Sequence, residues 1–212
     1  AGNHASKSVS FTTLAASDSE STFTKNAKGW TVVMGKWSIT DTGYYKTPGT
    51  INQISSIIHA QDFTSLTVEA KMKRKFGDNA LPNRLHFRTT PDPLDSAGQW
   101  MNGYMFQYTN AGNFSVWKFT DGVTEPLVGW EWTPAIVPYG WNTLKVVAND
   151  GDMEFYINGM LVAAGHDESH EVGRVGISMW RGSDLKAPLL VDWVKFSNTA
   201  YPDVYTDPIE AK

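Results

Sequence analysis

The amino-acid sequence predicts an all-β protein built from two packed antiparallel sheets. Apolar and polar residues alternate with a period of two in many short segments, as in LTVEAKMKR, where Leu66, Val68, Ala70 and Met72 share one face. Gly, Asn and Asp turns separate these segments, and helical spacing is not sustained anywhere along the chain. About a dozen short strands cannot bury both faces of one sheet, so we expect a sandwich of the jelly-roll kind.

Predicted strands follow one another along the whole chain. In order, they are SVSFTTL, WTVVMGKWSIT, INQISSIIHA, LTVEAKMKR, NRLHFRTT, GYMFQYT, NFSVWKF, NTLKVVAND, DMEFYING, INGMLVAAG, GRVGISMW and LLVDWVKFS. Hairpin turns at Asn149 to Asp152 and at Asn158-Gly159 join three of them into a meander. The Pro-rich segments TTPDPLDSAGQ and TPAIVPYG are predicted to be loops. We expect one domain over residues 1–200 and a polar C-terminal tail or linker over 201–212.

Composition excludes several classes of protein. A net charge of −4 over 212 residues argues against a nucleic-acid partner, which needs a concentrated basic surface. The absence of cysteine excludes disulfides and thiolate metal sites. No apolar run approaches the roughly 18 residues of a membrane helix, so we expect no membrane insertion. The N-terminal segment resembles a mature or trimmed end, which favours an extracellular or cell-surface protein, either a monomer or a module of a larger secreted one.

Several phrases together carry a family resemblance. They are GYMFQYTNAGNFSVWKFTDG, WNTLKVVANDGDMEFYINGMLV, GRVGISMW and LLVDWVKFS. From Trp30 to Ser197 this succession resembles the strands of concanavalin A-like domains of the laminin-G-like type. The resemblance implies a jelly roll of two curved antiparallel sheets, the concave one often gripping a carbohydrate. Members include lectin-like modules, glycan-binding modules, glycoside hydrolases and polysaccharide lyases, so the fold leaves the activity open.

The catalytic patterns of this superfamily are missing from the sequence. The Glu-x-Asp-x-(x)-Glu strand of the retaining glucanases does not occur, and the alginate-lyase pattern is absent as a set. We therefore predict a carbohydrate-binding module or lectin-like domain that requires no cofactor. The first alternative is a polysaccharide lyase or glycoside hydrolase, and the second is a laminin-G-like module that binds proteins through its loop edges.

The segment NRLHFR is the most informative stretch for a binding site. If Leu85 and Phe87 face the core, then Arg84, His86 and Arg88 lie on the opposite face. In the lyase alternative, His86 or a tyrosine would remove the C5 proton while Arg84 or Arg88 neutralised the uronate carboxylate.

The same alternation places Gln107, Trp117 and Trp180 on outward faces of their strands. Indoles stack on the apolar faces of sugar rings, and guanidinium and amide groups bind hydroxyls and carboxylates. The predicted partner is therefore a polysaccharide or oligosaccharide, with the arginines favouring an anionic one. In the structural alternative, the indoles pack under loops and the arginines are solvated. The predicted ligand-binding residues are Arg84, His86, Arg88, Gln107, Trp117 and Trp180.

A metal is considered at two places in the sequence. Asp192 alternates with Leu190, Val194 and Phe196, which predicts an inward carboxylate that needs a partner. Similar jelly rolls often hold a structural calcium, whereas backbone NH groups or an arginine would serve equally well. His166 and His170 have the spacing of a zinc site only on a helix, and this segment joins two strands, so a polar loop is expected.

Glu131 lies between Trp130 and Trp132 in VGWEW. Apolar neighbours would favour its protonated form and a role as a general acid. No second carboxylate accompanies it at a defined spacing, so we expect an edge-strand or loop residue.

Overall fold

A computed structural model of the chain describes residues 19–47, 54–180, 187–197 and 203–212. The strand predicted at SVSFTTL lies outside these residues. Within them, no helix has the length and hydrophobicity that crossing a membrane requires.

The described residues form strands joined by turns and short loops. In chain order the strands are β1 Ser19–Ser21, β2 Trp30–Met34, β3 Ser38–Ile39, β4 Tyr45–Thr47, β5 Ser55–Phe63, β6 Leu66–Arg74, β7 Asn83–Leu94, β8 Trp100–Tyr108, β9 Asn113–Thr120, β10 Val123–Trp132, β11 Asn142–Asn149, β12 Asp152–Ile157, β13 Met160–His166, β14 Gly173–Met179, β15 Leu189–Ser197 and β16 Glu210–Ala211.

These strands make two antiparallel sheets. The larger has nine strands in the order β16-β13-β12-β11-β6-β15-β4-β3, with β1 added on β15. The smaller has seven, in the order β10-β9-β8-β7-β14-β5-β2. The predicted all-β class and two-sheet sandwich are confirmed, as is the meander formed by β11, β12 and β13.

The core lies between the two sheets and is filled by the inward residues of each alternating strand. Leu85 and Phe87 of β7 are fully buried, as predicted. Tyr104, Phe106 and Tyr108 of β8 point the same way and are also fully buried. The rings of Phe87 and Tyr104 stack with centroids 5.1 Å apart, and Phe106 meets Phe155 of the opposite sheet at 5.3 Å. Period-two alternation therefore identified the core face of these strands correctly.

Two segments differ from the predicted loops and tail. Strand β7 continues to Leu94, which pairs with Trp100 of β8, so the first half of TTPDPLDSAGQ is strand. At the C-terminus, β16 pairs with β13, and Ile209 is only 4% exposed beside it. Part of the predicted tail therefore belongs to the nine-stranded sheet, because its apolar residue has a place in the core.

Candidate functional site

Arg84, Gln107 and Ser115 form one row across β7, β8 and β9 on the outer face of the seven-stranded sheet, which is the face turned away from the core. Arg84 Nε donates to Gln107 Oε1 at 3.1 Å, and Gln107 Nε2 donates to Ser115 Oγ at 2.8 Å. Trp117 Nε1 donates to the same Oγ at 2.8 Å. A continuous hydrogen-bonded chain therefore joins a guanidinium to an indole, and the structure brings together three of the predicted site residues.

Arg84 is a charged group that is 9% exposed. Its Nη1 donates to Gln99 Oε1 at 3.1 Å, so neutral amide oxygens accept from two of its three nitrogens. Burial, together with the positive charge of Arg74, lowers the pKa of Arg84 to about 10. The guanidinium remains charged at neutral pH, and no carboxylate in the described part of the chain forms an ion pair with it.

His86 lies on the same face but is shielded from solvent. It is 2% exposed, and its Nε2 lies 2.7 Å from Ser178 Oγ. Trp100 packs on the imidazole with ring centroids 4.3 Å apart. Burial, and secondarily the charge of Arg84, lowers the pKa of His86 well below its ordinary value, so the ring is neutral at pH 7. His86 was predicted to contact the ligand, whereas here Trp100 occupies that position.

The β7–β8 hairpin brings Trp100 over the sheet. Trp100 is 1% exposed, and a Cβ on Gly176 of β14 would lie only 1.9 Å from the ring, so only glycine leaves room for it. At the hairpin tip, a Cβ on Gly98 would lie 1.9 Å from Met34 Sδ of β2. The hairpin therefore crosses above β14 and β5.

The sequence analysis placed Gln99 in a Pro-rich loop and left Trp100 between that loop and the predicted strand GYMFQYT, so it missed both. The available signal was a tryptophan immediately before the polar and apolar alternation of β8. A large apolar side chain at that place requires a surface to cover, which the opposite face of the neighbouring strand provides.

Arg88 does not share the face of Arg84, contrary to the prediction. A β-bulge follows Phe87, and Arg88 has a φ of 45°, so its side chain leaves the outer face. Its Nε and Nη2 donate to Thr64 O at 3.0 and 2.6 Å, and Nη1 donates to the carbonyls of Asp150 and His170. Arg88 is 2% exposed and joins three chain segments at one end of the sandwich, so it has a structural role.

The predicted inward orientation of Asp192 is wrong. A bulge between Val191 and Trp193 shifts the alternation by one residue, so the carboxylate points outward and accepts from Lys71 Nζ at 2.8 Å. Its side chain is 26% exposed. The described residues contain no group of three or more His, Asp or Glu side chains arranged to hold a metal ion. The calcium therefore stays a prediction without an identified ligand set.

Trp180 follows directly after β14 and is half-buried. Its backbone N donates to Pro82 O at 3.2 Å, and its carbonyl accepts from Arg74 Nη2 at 2.6 Å. These bonds position the backbone at the end of the strand, two residues beyond Ser178. A ligand contact by its indole stays a prediction.

His166, the last residue of β13, and His170, in the loop that follows, do not share a site. His166 Nδ1 lies 2.9 Å from Asp152 Oδ1, and His166 Nε2 lies 3.1 Å from Glu168 Oε1. His170 Nε2 lies 2.7 Å from Phe119 O. Each ring is therefore bound to a different part of the sandwich, and His166 belongs to β13 rather than to a loop.

Glu131 lies on β10, the edge strand of the seven-stranded sheet, as expected, with an exposed tryptophan on either side. Trp130 is 46% exposed and Trp132 is 67% exposed. The register pairs Trp132 with Asn113, and Asn113 alternates with Ser115 and Trp117 along β9. Trp132 therefore lies on the same outer face as Trp117. The sequence analysis considered these tryptophans only as neighbours of Glu131 and missed the place of Trp132 on this face.

The two-sheet sandwich has the concanavalin A-like jelly-roll fold that the sequence resemblance implied, and its family match makes it a carbohydrate-active domain. Residues 18–189 match the model of the 3-keto-alpha-glucoside-1,2-lyase-like domain, and the chain belongs to that family. No match to this chain is found among curated protein sequences.

Solved structures of similar fold include binding modules and enzymes. The carbohydrate-binding module CBM66 from Bacillus subtilis is 24% identical, with a TM-score of 0.62 over 77% of this chain and 92% of that one. The Bacillus licheniformis beta-glucanase is 13% identical, with a TM-score of 0.66, and the match covers 87% of this chain and 99% of that one. The Crh5 transglycosylase is 15% identical, with a TM-score of 0.64, and the match covers 88% of this chain and 86% of that one. These similarities show the fold and leave binding and catalysis both open.

Proposed function

We propose that this chain is a carbohydrate-binding module that binds a polysaccharide without cleaving it, on the outer face over β8, β9 and β10. The observation that carries the proposal is the hydrogen-bonded row from Arg84 to Trp117, which lies next to the exposed indole of Trp132. This proposal includes an extracellular location, because structural polysaccharides occur outside the cell.

The chemistry of this face suits a sugar. The apolar faces of a pyranose ring stack on indoles, while its hydroxyls exchange hydrogen bonds with amides and guanidinium groups. Trp117 is held by its bond to Ser115, so little side-chain freedom remains to be lost when a ligand binds. A rigid stacking surface beside fixed donors is the arrangement expected of a binding site.

Two positions favour binding over catalysis. His86, the base considered for a lyase, is buried under Trp100 and bound to Ser178, so it does not reach a substrate on the outer face. Glu131 is exposed on the edge strand, so its flanking tryptophans do not provide the apolar enclosure that the general-acid interpretation assumed.

The family match favours a second candidate, a lyase that acts on a 3-keto-alpha-glucoside. Such an elimination would remove the C2 proton, which the neighbouring C3 carbonyl acidifies, and would expel the oxygen at C1. Release of the leaving sugar or alcohol from a 3-keto-glucoside, without net consumption of water, would identify this activity.

Binding to a panel of neutral and anionic polysaccharides tests the proposal, with release of products recorded in parallel. Trp117→Ala should weaken every bound ligand by about 1 to 3 kcal/mol, because it removes a stacking surface that any pyranose would use. The matched control is Trp193→Ala, a half-buried tryptophan of the nine-stranded sheet. Failure of the protein to bind any polymer, or turnover of a bound one, would contradict the proposal.

A further inference from the structure

We infer that the polysaccharide carries a uronate carboxylate and that Arg84 is the residue that selects it. This inference rests on the proposed function and names the class of ligand for the same face.

The first support is that Arg84 has no counter-ion among the described residues. Its side chain lies among the outer-face residues with 9% exposure, and its acceptors on Gln107 and Gln99 are neutral. Nothing in the described part of the chain accepts from Nη2. A guanidinium that is removed from water without a carboxylate is costly, and proteins usually pair such a charge.

The two other buried arginines, Arg74 and Arg88, bind mainly backbone carbonyls of separate chain segments. Arg88 donates through all three nitrogens to backbone carbonyls. Arg74 donates to Asn83 Oδ1 and to the carbonyls of Pro82 and Trp180. These two side chains join segments of the fold. Arg84 instead is held in place by the amides of Gln107 and Gln99. No described group accepts from its Nη2, so this nitrogen is available to bind a ligand.

Electrostatics also favours an anion here. Arg74 contributes a like charge near Arg84, and a carboxylate from the ligand would relieve that repulsion. A carboxylate accepts two parallel hydrogen bonds from a guanidinium, and such charged pairs are about twice as strong as neutral ones. The low dielectric around a nearly buried group strengthens the pair further.

Spacing indicates how the ligand lies. Arg84 is on β7 and Trp117 is on β9, so two strand spacings of about 4.8 Å each separate them. A ring stacked on Trp117 and a carboxylate bound to Arg84 therefore belong to different sugars of one oligosaccharide. The expected ligand is a chain that contains uronate rather than a single sugar.

Matched ligands provide the test. Oligosaccharides of polygalacturonate, alginate and glucuronoxylan are each compared with their carboxyl-reduced forms, which keep the rings and linkages and lose the charge. We expect the protein to bind at least one uronate form about tenfold more tightly than its reduced form, with the ratio falling as salt rises. Dextran sulfate against dextran is included to separate carboxylate from sulfate recognition.

Two variants, Gln99→Glu and Arg84→Gln, together with the control Gln61→Glu, test whether Arg84 causes the preference for uronate. Gln99→Glu keeps the shape of the side chain and supplies Arg84 with an internal carboxylate, so the ratio between uronate and reduced ligand should fall to near one. Gln61→Glu makes the same chemical change next to Lys25 and Lys28 in a different cavity, and should keep the ratio. Arg84→Gln should also bring the ratio to near one, with circular dichroism used to check that each variant folds.

The outcomes separate the two proposals. Equal binding of uronate and reduced forms, a preference for dextran sulfate, or a Gln99→Glu protein that keeps its preference would each overturn the inference and leave carbohydrate binding intact. Binding to no polymer of either kind would overturn the proposed function and, with it, this inference.

Discussion

The indole of Trp100 packs on the imidazole of His86, with ring centroids 4.3 Å apart and an angle of 31° between the ring planes. This contact covers the outer face of the seven-stranded sheet at His86 of β7 and Gly176 of β14. The exposed part of this face lies toward the β10 edge, where Trp132 is 67% exposed. The position of Trp100 therefore prevents His86, a predicted site residue, from contacting a ligand.

Replacing Trp100 by alanine should uncover His86 and destabilise the protein. A buried tryptophan truncated to alanine costs about 3 to 5 kcal/mol of unfolding free energy, from lost burial and the cavity left behind. Water would then reach His86, so its lowered pKa should rise toward the ordinary value. Chemical denaturation and an NMR titration of the imidazole check the two effects. An unchanged His86 pKa in the folded variant would show that another group shields the ring.

The stability of the protein should fall on mild acidification, in part because of His86. The folded protein holds this ring neutral, whereas the unfolded chain takes up a proton near pH 6.5. Its contribution to stability is therefore present above that pH and is lost as the pH falls from there toward the lowered folded-state pKa. His86→Gln takes up no proton and should show a smaller drop in Tm between about pH 7.5 and about pH 5.5.

His166 provides the control of opposite sign for this experiment. Hydrogen bonding to Asp152 raises the pKa of His166, and Glu168 adds to the effect. Its stabilising contribution is present at low pH and is lost as the pH rises through its folded-state pKa. His166→Gln should therefore make the acid-induced drop in Tm steeper. If His86→Gln and His166→Gln shift the slope in the same direction, the assignment of His86 is wrong.

Arg88→Ala should damage the fold and leave ligand choice unchanged. The side chain joins the carbonyls of three separate segments, and each hydrogen bond from a charged donor contributes about 1.5 to 3 kcal/mol. The expected loss of unfolding free energy is therefore about 3 kcal/mol or more, measured by denaturant titration. Arg174→Ala is the control, because that residue forms a surface ion pair with Asp62 and should cost less than about 1 kcal/mol. Comparable losses in the two variants would contradict the structural role of Arg88.

Asp192→Asn should have little effect on stability. The carboxylate forms a partly exposed ion pair with Lys71, and such pairs contribute about 0 to 1 kcal/mol. We also expect a chelator to leave Tm unchanged through this residue, since an ammonium occupies the position that a calcium would take. A drop in Tm with EDTA that Asp192→Asn abolishes would restore the calcium prediction, because a ligand of the folded state stabilises by mass action.

The core and most of the row at the candidate site were predictable from the sequence because alternation is a local property. Successive side chains of a strand point to opposite faces, so Leu85 and Phe87 inside already imply Arg84 outside. The same rule placed Gln107 and Trp117 outward without any knowledge of their neighbours.

Alternation failed at Arg88 and Asp192 for one physical reason. A β-bulge adds one residue to a strand and reverses which face the following side chains occupy. Whether a bulge forms depends on the pairing with the adjacent strand, and nothing in NRLHFR or LLVDWVKFS alone marks it.

The sequence by itself determined the all-β class, the inward faces of the central strands and the residue types able to bind a sugar, since these depend on period-two patterning and side-chain chemistry. Only the tertiary structure decided that Trp100 covers His86, that Arg84 has no carboxylate partner among the described residues, and that Trp132 of β10 lies on the same face as Trp117. Those relationships join residues from different strands, and they exist only once the hairpin has folded over the sheet and the cross-strand register is set.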